Sequence, residues 1–184
     1  MREHVQDSSN AAHYAAQTEI SEMKSTLTLI RHAEAVDRIE AEDDFQRGLS
    51  DFGRETCALL SEQLIELGIQ FDAALVSPAW RTQETYRCLL GALGSPKLID
   101  PMALYHASTE MLERAALEAL PVAPRIVIIG HNPGIGGFAH KLASLTQSGT
   151  RLPRGYPPAS TTIFELNGEG LDQPTLVKAL PNQD

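Results

Sequence analysis

Apolar and polar positions change their spacing repeatedly along the chain. Thr26–Ile30 (TLTLI) alternates at period two and predicts a strand. Phe71–Val76 (FDAALV) predicts a second, and Lys97–Pro101 (KLIDP) a weaker third. Arg125–Gly130 (RIVIIG) is a nearly unbroken β-branched run, the pattern of a strand covered on both faces. TTIFEL (Thr161–Leu166) and TLVKAL (Thr175–Leu180) complete the set. Between these runs the spacing turns helical. Cys57, Leu60, Leu64 and Leu67 follow an N-cap at Ser50 with Asp51 in the first turn, and Gly68 stands where a helix-ending glycine belongs. Ser77-Pro78 predicts a cap and first helical proline, opening a helix to about Leu90. Thr109–Leu120 reads as another helix. Asn132-Pro133 repeats the cap-plus-proline device ahead of the apolar stripe Ile135, Phe138 and Leu142. Strands alternating with helices predict an α/β fold: a three-layer sandwich, with a mostly parallel central sheet and helices on both faces.

Composition adjusts this picture only at its margins. Residues 1–24 are polar and rich in Ala, Gln and Ser, and read as a tail in which Met23 offers an alternative start. Residues 25–184 of the 184 form one domain, long enough to bury its own core. Cys57 and Cys88 both fall in predicted helices, which argues against a disulfide framework and for a reducing compartment. Neither a membrane-length apolar stretch nor a secretory leader is evident, so the cytoplasm is expected. A formal net charge of −9 argues against nucleic-acid or membrane partners. A small anionic group remains compatible, because a few converging cations override a negative average locally.

Such a convergence is visible. The first strand runs into Arg31-His32, the second into Ser77-Pro78-Ala79-Trp80-Arg81, and the fourth through Gly130 into His131-Asn132-Pro133. Carboxyl ends of parallel strands share one edge of a sheet, and ligands bind in the crevice outside it. If these strands are neighbours, two arginines, two histidines and two helix N-termini meet there, a set suited to a phosphoryl group. Any one of these residues alone reads as well as a solvated strand end. The coincidence across three strand ends carries the argument.

Those residues resemble a known family. LIRHAEA is similar to the Arg-His signature of the histidine phosphatase (phosphoglycerate mutase-like) superfamily. LVSPAWRTQET resembles its Ser-Pro-x-x-Arg-x-x-x-Thr segment, and VIIGHNPG its second-histidine segment. RGLSDFGRE (Arg47–Glu55) is similar to a further Arg-x-Leu-Ser/Thr-x-x-Gly segment. The spacing most resembles the small SixA-type phosphohistidine phosphatases, over about Thr26 to Leu180. The resemblance implies that His32 is a nucleophile forming a phosphohistidine intermediate. It implies that Arg31 and Arg81 clamp the phosphoryl oxygens, that His131 completes the pocket, and that no metal or other cofactor is needed. Cations around three equatorial oxygens are what phosphoryl transfer asks for, and the arginine fork supplies them well. The implied substrate is a phosphorylated protein of histidine phosphotransfer or phosphocarrier type. A small phosphate ester, or a non-catalytic phosphoryl-binding module, stands as the alternative.

The pattern departs from the wider superfamily in one respect. Many members carry a leaving-group carboxylate after the third strand, where this chain reads IDPMALYHAS (Ile99–Ser108), with Met102 and Ala103 in the expected place. Asp100, Glu110 and Glu34 are nearby substitutes, none of which fits. Glu34 is expected instead to orient Arg31 or Arg47, or to face solvent. Arg47 reads equally as a salt bridge to the polar, acidic loop after the first strand (VDRIEAEDDFQRG, Val36–Gly48) and as a support to the site. Arg151 and Arg154 are read as loop residues that keep the Pro-rich segment soluble. His4, His13, His106 and His140 show no metal-ligand spacing, and GHNPGIGG lacks the Walker lysine and the dinucleotide glycine spacing.

Overall fold

Alternation within the strands decides which layer each side chain enters. The computed structural model describes residues 24–146, 152–167 and 170–180; residues 1–23 of the predicted tail and Arg151 lie outside them. Its strands are β1 (Ser25–Arg31), β2 (Ala73–Val76), β3 (Lys97–Ile99), β4 (Arg125–Gly130), β5 (Thr161–Leu166) and β6 (Pro174–Leu180). Its helices are α1 (Asp51–Leu67), α2 (Trp80–Leu93), α3 (Thr109–Ala119) and α4 (Gly134–Leu145). Leu27, Leu29, Ala73, Leu75, Ile126 and Ile128 pack against Leu112 and Ala116 of α3 and Ile135 and Phe138 of α4. Their neighbours Ile30, Ala74, Val76, Val127 and Ile129 face the opposite side, against Cys57, Leu60 and Leu64 of α1 and Leu89 and Leu93 of α2. Period-two alternation thus fills two cores, one on each face of a single sheet.

The six strands lie in the order β3-β2-β4-β1-β5-β6. β1 pairs parallel with β4, and β2 pairs parallel with both β3 and β4. β5 and β6 extend the sheet antiparallel. The mostly parallel three-layer sandwich read from the sequence is the observed architecture. The order places β2, β4 and β1 side by side. Their register sets Arg31 opposite Gly130 and Val76 opposite Ile129, so the three strands end together at one edge.

Helix ends follow the predicted chemistry at α1, where the Ser50 side chain accepts from Gly53 N and Gly68 adopts a left-handed φ of 64°. The other two cap assignments need correction. α2 begins at Trp80 rather than at Pro78 and runs to Leu93, because the Ser77 hydroxyl bonds His131 instead of a helix N–H. α4 begins at Gly134, after a cis Asn132-Pro133 bond. The Asn132 side chain still serves the helix, accepting from Gly136 N at 3.2 Å. Cys57 and Cys88 are both free thiols. No described helix is long and apolar enough to cross a membrane.

Candidate active site

His32 is the first residue beyond β1, and the sheet holds its backbone. Its N–H donates to Gly130 O at 3.0 Å, and its carbonyl accepts from Ala159 N at 3.2 Å. The ring is oriented locally: Nδ1 lies 2.7 Å from Ala33 O. A carbonyl only accepts, so Nδ1 carries the proton and Nε2 keeps its lone pair. Burial, with help from the charges of Arg81, Arg31 and Arg47 and against the bond to Ala33, lowers the His32 pKa to about 3. Below neutral pH the ring therefore stays uncharged, as a nucleophile must.

His131, beyond β4, stands with its ring centroid 5.1 Å from that of His32. It is 5% exposed. Its Nε2 lies 2.7 Å from Ser77 Oγ, so the end of β2 fixes the ring that follows β4. Burial first, then the charges of His32, Arg81 and His106, push its pKa below the usual histidine range, while Asp44 opposes them. His131 Nδ1 is buried without a hydrogen-bond partner, and so is Arg31 Nε. Arg31 is otherwise held by an Nη1 bond of 2.9 Å to Tyr156 O, and burial lowers its pKa. Both nitrogens thus remain able to bond a further group.

Arg81, on the first turn of α2, is 3% exposed and faces a residue the sequence did not single out. Its Nη1 donates to Asp44 O at 2.5 Å and its Nη2 to Asp44 Oδ2 at 3.0 Å. Asp44 Oδ1 also accepts from Arg47 Nη1 at 3.1 Å, and Oδ2 from the Tyr105 hydroxyl at 3.0 Å. Burial would raise the Asp44 pKa, but Arg47, Arg81 and Tyr105 together hold it well below the usual carboxylate range. His106 completes this group: Nε2 is 3.5 Å from Asp44 Oδ2, and its ring centroid lies 5.4 Å from that of His131.

The structure thus brings Arg31, His32, Arg81 and His131 to one sheet edge. Arg47 makes the ion pair to the acidic loop and also bonds Val36 O at 2.9 Å. Glu34 is exposed, as one of its two readings expected, and orients neither arginine; its Oε1 accepts from Ser50 Oγ at 2.8 Å, bracing the start of α1. Asp100 and Glu110 are exposed, the latter bonded to Ser108 at 2.7 Å. Among the described residues no cluster of three His, Cys, Asp or Glu side chains could hold a metal ion. Sequence reasoning missed Asp44, Tyr105, His106, Tyr156 and the Ser77 hydroxyl. Each reaches the site through a loop, where no period announces it; Asp44 was visible only as one acid in an acidic run.

Residues 27–103 match the model of the histidine phosphatase superfamily, branch 1. An uncharacterised protein of Picosynechococcus sp. is 32% identical over 122 residues, covering 64% of this chain and 72% of that protein. The chain belongs to the histidine phosphatase superfamily. By that membership it is a phosphatase. The matched segment carries Arg31, His32, Asp44, Arg47 and Arg81, and His131 arrives from β4 beyond it.

Solved structures share the fold. A candidate phosphohistidine phosphatase SixA from Agrobacterium tumefaciens superposes with a TM-score of 0.71 at 21% identity, covering 85% of this chain and 98% of that one. A counterpart from Nakamurella multipartitia gives 0.75 at 19%, covering 86% and 96%. The protein histidine phosphatase SixA complexed with tungstate gives 0.69 at 18%, covering 84% and 96%.

Proposed function

We propose that the chain hydrolyses phosphoryl groups through a covalent phosphohistidine at His32, with phosphohistidine in a protein as its substrate. One observation carries the reading. The His32 tautomer leaves Nε2 unprotonated, in a pocket with two arginines and the buried, unpartnered nitrogens of Arg31 and His131. His32 Nε2 attacks phosphorus while Arg31 and Arg81 take the equatorial oxygens. A bound dianion raises the His131 pKa, so His131 donates to it. Water then attacks the phosphoenzyme and returns the lone pair to Nε2. The arginine cations supply the charge stabilisation this needs. A solved structure of like fold is described with tungstate, a tetrahedral oxyanion of the same kind.

The choice of substrate rests on the acid groups. Asp44, the carboxylate bonded to the site arginines, is held ionised and has no proton to give. Such a site favours groups that leave without strong proton donation, and the protonated imidazole of phosphohistidine is one. A small aryl phosphate is the second reading, supported by a cleft of about 340 Å³ lined by Phe45, Gln46 and Trp80, next in sequence to Asp44 and Arg81.

The test is a competition between a phosphohistidine protein, an aryl phosphate and an alkyl phosphate at matched concentrations. The expected order of kcat/KM is that order, and His32→Ala should lower all three by at least about 10³-fold. An alkyl phosphate as the best substrate would contradict the proposal.

A further inference from the structure

Any alkyl ester hydrolysed at this site must leave as an alcohol, and the oxygen needs a proton from somewhere. The His32 Nδ1 proton is committed to Ala33 O. His131 is almost fully buried, its Nε2 is tied to Ser77, and its Nδ1 is the nitrogen that the proposed mechanism turns to the phosphoryl oxygens rather than to the leaving atom. The Tyr105 phenol bonds Asp44, and burial with that carboxylate makes it a weaker acid than usual. Asp44 is ionised. The arginines do not give up protons.

His106 remains, and its setting is unusual. Its φ of 52° puts a non-glycine residue in the left-handed region, a conformation that persists where surrounding structure holds it. Its side chain is 54% exposed, so it stands at the open side of the cluster. Its ring centroid is 4.1 Å from that of Tyr105 and 5.4 Å from that of His131. Its Nε2 lies 3.5 Å from the Asp44 carboxylate, which also takes Arg81 and Arg47. An imidazolium with one N–H directed at Asp44 keeps the other for a leaving atom.

We propose that His106 is the proton donor to poor leaving groups and the proton acceptor from water in the second step. This rests on His32 being the nucleophile. In the first step the His32 Nε2 lone pair forms the N–P bond and the P–O bond breaks. Its electron pair passes to the leaving oxygen, which takes the His106 Nδ1 proton. In the second step water attacks phosphorus and the N–P pair returns to Nε2. One water proton goes to neutral His106, which restores the starting state. Asp44 positions and polarises this imidazole rather than transferring the proton itself.

His106→Asn is the informative variant, since asparagine tolerates a left-handed backbone and cannot shuttle a proton. Expected is a loss of about 10²-fold in kcat/KM for an alkyl phosphate, the usual size of a general-acid contribution. The kcat/KM for p-nitrophenyl phosphate and for a phosphohistidine protein reads only phosphoenzyme formation, and should change by no more than about threefold. Meanwhile kcat falls wherever hydrolysis of the phosphoenzyme limits turnover. Across a series of esters, the dependence of log kcat/KM on leaving-group pKa should steepen in the variant. An equal loss of kcat/KM on all substrates, or no loss of kcat/KM on the alkyl ester, would overturn the role of His106. Trapping of phosphoenzyme in the wild type is read in parallel. If label is trapped on His32 and the His106 effect is uniform, only the His106 role fails. If no label is trapped, the nucleophile assignment fails.

Discussion

Asp44 contacts both Arg81 and Arg47, and its charge reaches His131. Its carboxylate sets the direction of the Arg81 fork, yet it also places a negative charge where a phosphoryl group is proposed to bind. Asp44→Asn separates these effects, because the amide oxygen can still accept from Arg81 while the charge is gone. The expected outcome is tighter inhibition by inorganic phosphate, by about fivefold, the size of a ~1 kcal/mol interaction between unit charges ~4 Å apart with water-like screening. Measured inhibition constants that are weaker in the variant would show that orientation of Arg81 outweighs repulsion. At this scale sequence and structure divide cleanly. Arg31, His32, Arg81 and His131 were legible because each ends a strand or begins a helix whose period is readable. Asp44 and His106 sit in irregular segments and meet only through the fold.

Between elements, the site depends on how closely α1 approaches the segment after His32. Gly53, in the first turn of α1, is buried, and a Cβ there would lie 2.1 Å from Glu34 O. That oxygen already accepts from Ser50 N at 3.0 Å, so it cannot simply move aside. Gly53→Ala should therefore destabilise the protein by about 2 kcal/mol or more, the range of overpacking penalties. Gly91 in α2 is the control, because a Cβ there meets nothing within 4 Å. Gly91→Ala should stabilise by about 0.5–1 kcal/mol through helix propensity. Chemical denaturation of both variants checks the pair, and similar effects of the two would contradict the packing argument. The same elements show why cap signals mislead at a site. Ser50, away from the reacting groups, caps α1 as its sequence predicts. Ser77 looks like the same device but gives its hydroxyl to His131, and α2 starts later.

Across the whole molecule, the apolar runs of β1, β2 and β4, whose successive side chains face opposite sides of the sheet, dictate two apolar cores, and their parallel register makes three strand ends coincide. That much of the layout follows from period and length, which is why the α/β sandwich was readable from the chain. Strand order was not, since nothing local states that β4 inserts between β1 and β2. The order is what turns separate Arg and His residues into one pocket, and the central claim is that this pocket works through His32. Rapid quench with a ³²P-labelled phosphohistidine protein tests it most directly. Label should accumulate on the enzyme within the first turnover, survive alkali, be lost in acid, and map to the peptide containing His32. It should be absent from His32→Ala. Steady turnover with no such label, or label mapping to another residue, would contradict the account.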